Sequence, residues 1–193
     1  ADLRKCVTEA VKKMEGKSSG NDYSYANDNV ERGELMIGND KYVGDIKNGM
    51  PHGKGRITFA AGDHRKYYDG DWYEGKMHGQ GTLVWNNGDK YVGDFDNGEL
   101  HGQGTCYYSN GDRYVGGYKN DKRHGQGAYY YSSGARYVGG YKNNKMQGQG
   151  TYYWNNGNKY VGDWYEGKRH GHGTYYWSDG RSEKRYYIDG EEQ

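Results

Sequence analysis

Residues 91–105 read Tyr-Val-Gly-Asp-Phe-Asp-Asn-Gly-Glu-Leu-His-Gly-Gln-Gly-Thr, and the same frame returns at 160–174 as Tyr-Val-Gly-Asp-Trp-Tyr-Glu-Gly-Lys-Arg-His-Gly-His-Gly-Thr. Between and before them the tetrad Tyr-X-Gly-(Asp/Gly) starts at Tyr68, Tyr91, Tyr114, Tyr137 and Tyr160, each 23 residues after the last, with an earlier copy at Tyr42. A period this short and regular marks a repeat array, not a globular enzyme. Each tetrad is followed by Gly-X-Gly, from Gly53/Gly55 to Gly171/Gly173.

Turn signals divide each unit in two. Asn48-Gly49, Glu74-Gly75, Asn97-Gly98 and Glu166-Gly167 mark a first turn, and Asn87-Gly88, Asn110-Gly111, Asn156-Gly157 and Asp179-Gly180 a second. The five- or six-residue segments between them alternate with period two and are rich in Tyr, Val and Trp. Each unit is thus one β-hairpin, and the expected fold is all-β: an elongated single-sheet antiparallel meander of tandem hairpins, with a short N-terminal helix. That helix is expected over about residues 2–15, where Leu3, Cys6/Val7, Ala10/Val11 and Met14 fall at helical spacing after Asp2. Its expected role is to cap the first strand edge. The chain divides into residues 1–30 (helix and linker), 31–180 (a half-repeat and six units) and 181–193 (a closing strand and tail).

Alternation gives the two faces different chemistry. Tyr91, Gly93 and Phe95 share one face with Gly104, Cys106 and Tyr108, so that large rings lie over bare glycine backbone as an aromatic core. The other face carries Val43, Val92, Val115, Val138 and Val161 beside Tyr107, Tyr130, Tyr153 and Tyr176. Equivalent residues lie two strands apart, about 9.5 Å, so a Val/Tyr stripe of about 50 Å is expected. A half-apolar stripe that long points to an interaction surface.

Composition agrees. The chain has 35 glycines, 24 tyrosines and one proline in 193 residues, only 32% hydrophobic residues, and a mean hydropathy of -1.33. Burial therefore falls to Tyr, Trp and Phe, whose rings carry a large apolar area and a polar tip. Net charge is only +1, which provides no bulk field toward nucleic acid, and no nucleic-acid partner is expected. Two cysteines, Cys6 and Cys106, make neither a disulfide framework nor a zinc spacing. No apolar run approaches the roughly 18 residues of a spanning helix. The chain begins at Ala1 and not at Met, so a processed leader or an excised fragment stays open. Localisation stays open between cytoplasm, membrane and cytoskeleton.

At this point the pattern Tyr-Val-Gly-Asp-X4-Gly-X2-His-Gly-X-Gly-Thr resembles the MORN (membrane occupation and recognition nexus) repeat over about residues 33–180. The resemblance implies an elongated twisted hairpin array acting as scaffold, tether or dimerisation module. Some members of the family have been proposed to bind acidic phospholipids, and others dock helical or extended protein segments. In larger members the repeats accompany a catalytic domain, for which this chain has no room. Departures fall in units four and five: Gly117 and Gly140 replace Asp, and Gln147 replaces His.

His52, His78, His101, His124 and His170 recur about 9.5 Å apart, too far to share a zinc ion bound at about 2.1 Å, and turn-bracing is expected of them. The Gly-X-Gly elements lack the third glycine, helix and Lys-Ser/Thr of a phosphate loop. Asp45, Asp71, Asp94 and Asp163 read as solvated carboxylates paired across strands. No nucleophile, base and orienter come together, so neither catalytic residues nor a cofactor nor a metal are expected.

The expected function is a non-catalytic scaffold that docks a protein partner on Tyr107, Tyr130, Tyr153 and Tyr176 with Val92, Val115 and Val138 beside them. An alternative is a peripheral tether that meets acidic membrane lipids through the hairpin-tip residues Lys122, Arg123, Lys145, Lys168 and Arg169. A third is a homodimer through the C-terminal strand edge.

Overall fold

The computed structural model describes residues 29–193, and the expected N-terminal helix over residues 2–15 lies outside them. Among the described residues there is no helix. Fifteen strands follow one another in a single open sheet in strict sequence order, every neighbouring pair antiparallel. They are β1 (Glu31–Ile37), β2 (Asp40–Lys47), β3 (Met50–Thr58), β4 (Arg65–Tyr73), β5 (Lys76–Trp85), β6 (Lys90–Asp96), β7 (Glu99–Tyr107), β8 (Arg113–Lys119), β9 (Lys122–Tyr130), β10 (Arg136–Lys142), β11 (Lys145–Tyr153), β12 (Lys159–Tyr165), β13 (Lys168–Tyr176), β14 (Ser182–Ile188) and β15 (Glu191–Glu192).

The first turn of each unit holds two residues, both in the left-handed region, as at Asn97 (φ 51°) and Gly98 (φ 89°). This conformation matches the twist of the flanking strands and selects Asn, Asp and Gly. Units four and five keep it without glycine, at Asn120-Asp121 and Asn143-Asn144. The side chains gained there are used: the Leu100 N–H donates to the Asp121 carboxylate (2.8 Å) and the Arg123 N–H to the Asn144 side chain (2.9 Å).

One face of the sheet is its core. Tyr42, Tyr68, Tyr91, Tyr114, Tyr137 and Tyr160 are fully buried, as is Tyr187. Each tetrad tyrosine lies flat over glycine: a Cβ added at Gly104 would stand 2.3 Å from the Tyr91 hydroxyl oxygen and 2.4 Å from two of its ring carbons. Second rings stand edge-on between them, Tyr91 meeting Phe95 at 5.2 Å and Tyr118 at 5.0 Å between centroids. Such T-shaped pairs contribute about 0.5–1.5 kcal/mol each beyond area burial. The need for tyrosine and not phenylalanine follows from its hydroxyl, which donates to the carbonyl three residues on, from Tyr42 to Asp45 (2.7 Å) through Tyr114 to Gly117 (3.1 Å). A buried hydroxyl without such a partner would be costly.

That carbonyl is exposed to the ring by a β-bulge. The register slips after the tetrad glycine in each hairpin, between Gly93 and Phe95 and between Gly116 and Tyr118 among others. The extra residues lie on the second strand, where His101, Gly102 and Gln103 stand opposite the single tetrad residue Asp94.

The C-terminal strand β14 completes the last unit. Tyr187 faces Gly171 as Tyr118 faces Gly102, so β14 supplies the second ring of a unit and Arg185 stands where the glycine would be. At the end of the loop between β3 and β4, Arg65 is buried over the Phe59 ring (3.8 Å) and paired with Asp63 (2.6 Å). Hydrogen bonds from Arg65 hold the Asp63 carboxyl well below its usual range, at about 2.

Candidate docking face

The face opposite the core is ordered in rows by the strand register. The first row alternates cation and tyrosine. Tyr107 stands between Lys90 and Arg113, Tyr130 between Arg113 and Arg136, and Tyr153 between Arg136 and Lys159, which also faces Tyr176. Within each hairpin the cation lies over the ring it faces, as Arg113 does at 4.5 Å from the Tyr130 centroid and Arg136 at 3.9 Å from that of Tyr153. The second row is apolar and β-branched: Val92 between Thr82 and Thr105, Val115 between Thr105 and Ala128, Val138 between Ala128 and Thr151. Val92, Tyr107, Val115, Tyr130 and Val138 are 36–43% exposed, which leaves this stripe uncovered by any described residue. Tyr153 and Tyr176 are half-buried. All seven stripe residues expected from the sequence thus share one face, in two adjacent rows.

The third row explains the tetrad Asp. At the bulge its carboxylate accepts the backbone N–H of the residue nine positions on: Lys54 to Asp45 (2.9 Å), Gln80 to Asp71 (2.9 Å), Gln103 to Asp94 (2.7 Å) and His172 to Asp163 (3.2 Å). These carboxylates therefore staple the bulge as well as pairing with cations such as Lys54, which bridges to Asp71. At Gly117 and Gly140 the staple is missing. There the carbonyl of His124 or Gln147 stands about where the Asp Cβ would be, 2.2 Å and 2.1 Å from it. In unit three the corresponding His101 carbonyl turns instead toward the Tyr91 hydroxyl, at 3.4 Å.

The basic tip residues separate onto two faces. Lys122, Lys145 and Lys168 are exposed on the stripe face, opposite Lys119, Lys142 and Tyr165, and Lys145 forms an ion pair with Glu166. Arg123 and Arg169 point to the core face. Arg123 lies over the Tyr114, Tyr129 and Tyr141 rings, and Arg169 over the Tyr187 ring (4.2 Å) while donating to its hydroxyl (2.9 Å). The five tip residues expected together as a lipid edge are thus not on one surface.

Two features go beyond what the sequence shows. One is the extent of the aromatic row to which Tyr108 belongs on the core face. Tyr108, Tyr129, Tyr131, Tyr152, Trp154, Tyr175 and Trp177 make continuous ring contacts at 4.6–5.8 Å and stay half-exposed beside the buried rings. Beside Tyr108 a depression of about 220 Å³ is lined by Trp85, Leu100, Cys106, Tyr118 and Arg123. The other is a charge imbalance. Residues 113–159 hold eight cations and one acid, Asp121, in a chain whose total charge is +1. The repeat spacing drew attention to tips, while the count along the chain would have revealed the excess.

Titration is dominated by burial. Desolvation pushes the hydroxyls of Tyr42, Tyr114 and Tyr160 up to about 12, and those of Tyr68, Tyr91 and Tyr137 upward as well. Burial also raises the free Cys106 thiol, which makes it a poor nucleophile. The repeated histidines sit beside hairpin tips, His78 at 3.4 Å from Asp96 and His170 at 3.5 Å from Asp189. Among the described residues no three His, Cys, Asp or Glu groups converge as a metal site.

An array of hairpins with a Tyr-over-Gly core and a stapled bulge defines a β-repeat protein. The MORN repeat family model matches residues 42–64, 68–90, 91–113, 114–136, 137–159 and 160–180, so the chain belongs to the MORN repeat family. Such proteins are generally non-catalytic repeat scaffolds. No curated protein matches. Among solved structures the chain is similar to the SAS-4 (dCPAP) TCP domain of Drosophila melanogaster, solved with a proline-rich motif of Ana2 (dSTIL), at 12% identity and a TM-score of 0.46, covering 88% of this chain and 97% of that one. It is also similar to the TCP10 domain of Danio rerio CPAP, solved with a STIL peptide, at 13% identity and a TM-score of 0.21, covering 81% and 89%.

Proposed function

We propose that this chain is a non-catalytic scaffold that docks a protein segment, helical or extended, along the outer Tyr/Val stripe. The observation that carries this reading is two adjacent rows, exposed at Tyr107, Tyr130, Val92, Val115 and Val138 and half-buried at Tyr153 and Tyr176, on a single-layer sheet whose other face already holds the core. Large rings on a rigid sheet offer contact area with little side-chain entropy to lose, as binding hot spots require. Here the stacked cations restrict the rings further. The test is capture from extracts of the source cells with wild-type protein and a Tyr130→Ser/Tyr153→Ser variant whose melting temperature is checked. Partners held by the wild type and lost by the variant support the reading. Partners held equally by both would move the docking site to another surface.

A further inference from the structure

The first row and the charge count converge on units four and five. Lys90, Arg113, Arg136 and Lys159 stand in register on alternate strands, and among the described residues none of the four forms an ion pair: each is held only against a tyrosine ring, at 3.9–4.8 Å. At the tips of the same two units Lys119 faces Lys122 and Lys142 faces Lys145 directly across the ladder. Like charges placed so are destabilising in an isolated sheet. The tetrad carboxylates that flank this region in units three and six, Asp94 and Asp163, are absent from its centre, where Gly117 and Gly140 stand. The one acid of the segment, Asp121, is engaged by the Leu100 N–H. A face that collects cations, omits acids and leaves an apolar Val/Thr row between them is complementary to an anionic partner with some apolar surface.

The spacing says which kind. Cations on alternate strands recur at about 9.5 Å, twice the strand separation. A polypeptide in the polyproline II conformation repeats every three residues at about 3.1 Å per residue, or about 9.3 Å. A chain laid along the row with a carboxylate at every third position meets successive cations with no change of register, and ten residues span the four of them. Nucleic acid fits less well, because the cations already cover one face of each tyrosine on which bases would stack. A bilayer fits less well too, since a flat surface cannot follow fifteen twisted strands as a flexible chain can.

We infer that the outer face of units four and five, together with Arg113 at the start of β8, binds an acidic, extended polypeptide segment carrying a carboxylate at every third residue. This rests on the docking reading above and specifies its partner. Arg113 and Arg136 are the central contacts, with Lys119 and Lys142 closing the lower side.

The experiment measures fluorescence anisotropy of labelled (Glu-Pro-Pro)5 on the full chain at 50 mM NaCl, with (Gln-Pro-Pro)5 and (Glu-Pro)7 as charge and spacing controls. The expected result is saturable binding of the first peptide, weaker binding of both controls, and about tenfold weaker binding to Arg113→Gln/Arg136→Gln, as loss of two exposed ion pairs predicts. Arg56→Gln, a cation over Tyr67 outside these units, leaves binding unchanged. No binding of (Glu-Pro-Pro)5, or equal binding of either control, overturns the inference. So does binding of phosphatidylserine vesicles or oligo(U) where the peptide fails. The two readings fail separately: partners whose capture needs Tyr130 and Tyr153 but not Arg113 and Arg136 leave the scaffold standing and remove the acidic segment.

Discussion

Replacing Gly104 by alanine tests the core principle of this fold with a single methyl group. The new Cβ would meet the Tyr91 hydroxyl oxygen at 2.3 Å and two ring carbons at 2.4 Å, where ordinary contact is 3.4 Å or more. The ring has to move by about 1 Å, and it cannot rise freely because it is fully buried under Phe95 and Tyr118. Overpacking of this kind costs about 1–3 kcal/mol. Disturbing two T-shaped contacts and the hydroxyl's bond to the Asp94 carbonyl (3.0 Å) brings the expected loss to about 3 kcal/mol. For a chain of this length that lowers the melting temperature by roughly 6–12 °C, read by calorimetry. Tyr91→Phe does not rescue the variant, since ring carbons and not only the hydroxyl are in the way. The neighbouring Thr105→Ala, on the opposite face, changes stability by no more than about 0.5 kcal/mol. A Gly104→Ala loss as small as that of Thr105→Ala would refute the claim that glycine is required there by the ring.

The buried hydroxyls predict alkaline unfolding. Tyr42, Tyr114 and Tyr160 titrate near 12 in the folded chain, above the value of about 10 for an exposed tyrosine, so folding retains their protons. The stability this contributes is complete below pH 10 and is lost as pH rises toward 12. Absorbance of tyrosinate at 295 nm should therefore rise in a late step that coincides with loss of the sheet signal in circular dichroism; ionisation of all 24 tyrosines with the sheet intact would contradict it. Gly117→Asp should convert unit four to the pattern of unit three. The His124 carbonyl must turn away from the new Cβ, as the His101 carbonyl does, and the carboxylate then accepts from Gln126 as Asp94 accepts from Gln103. The cost and the gain nearly cancel, so the melting temperature stays within a few degrees, while binding of (Glu-Pro-Pro)5 weakens severalfold through the added negative charge. A variant that does not fold would show that units four and five are committed to glycine by the sheet and not by the partner.

Much of the architecture was legible. The two-residue turns at Asn48-Gly49 and Asn97-Gly98, the burial of Tyr91 and Phe95 on one face, and the exposure of Val115 and Tyr130 on the other all follow from period and alternation, and the structure has them. The tetrad Asp was read as a solvated carboxylate because its partner, an N–H nine residues away, approaches only through the bulge. The closing strand expected over residues 181–193 is β14, and its pairing with Gly171 makes Tyr187 a second ring, which the spacing along the chain does not show. Arg123 and Arg169 were grouped with the exposed tip lysines. The tight turn sets Lys122 against Lys119 and so sends the next residue, Arg123, onto the rings behind.

The sequence by itself determined the array: a 23-residue period, the hairpin, and the division into a ring-over-glycine face and a Val/Tyr face are properties of residues close in the chain, where spacing is enough. Only the tertiary structure decided which charges meet. Residues about 20 positions apart become neighbours at about 4.8 Å across the ladder, and bulges and turns fix which face each one takes. Whether a cation is neutralised, stacked on a ring or left for a partner is a sum over those neighbours, and that sum is formed only when the strands pair.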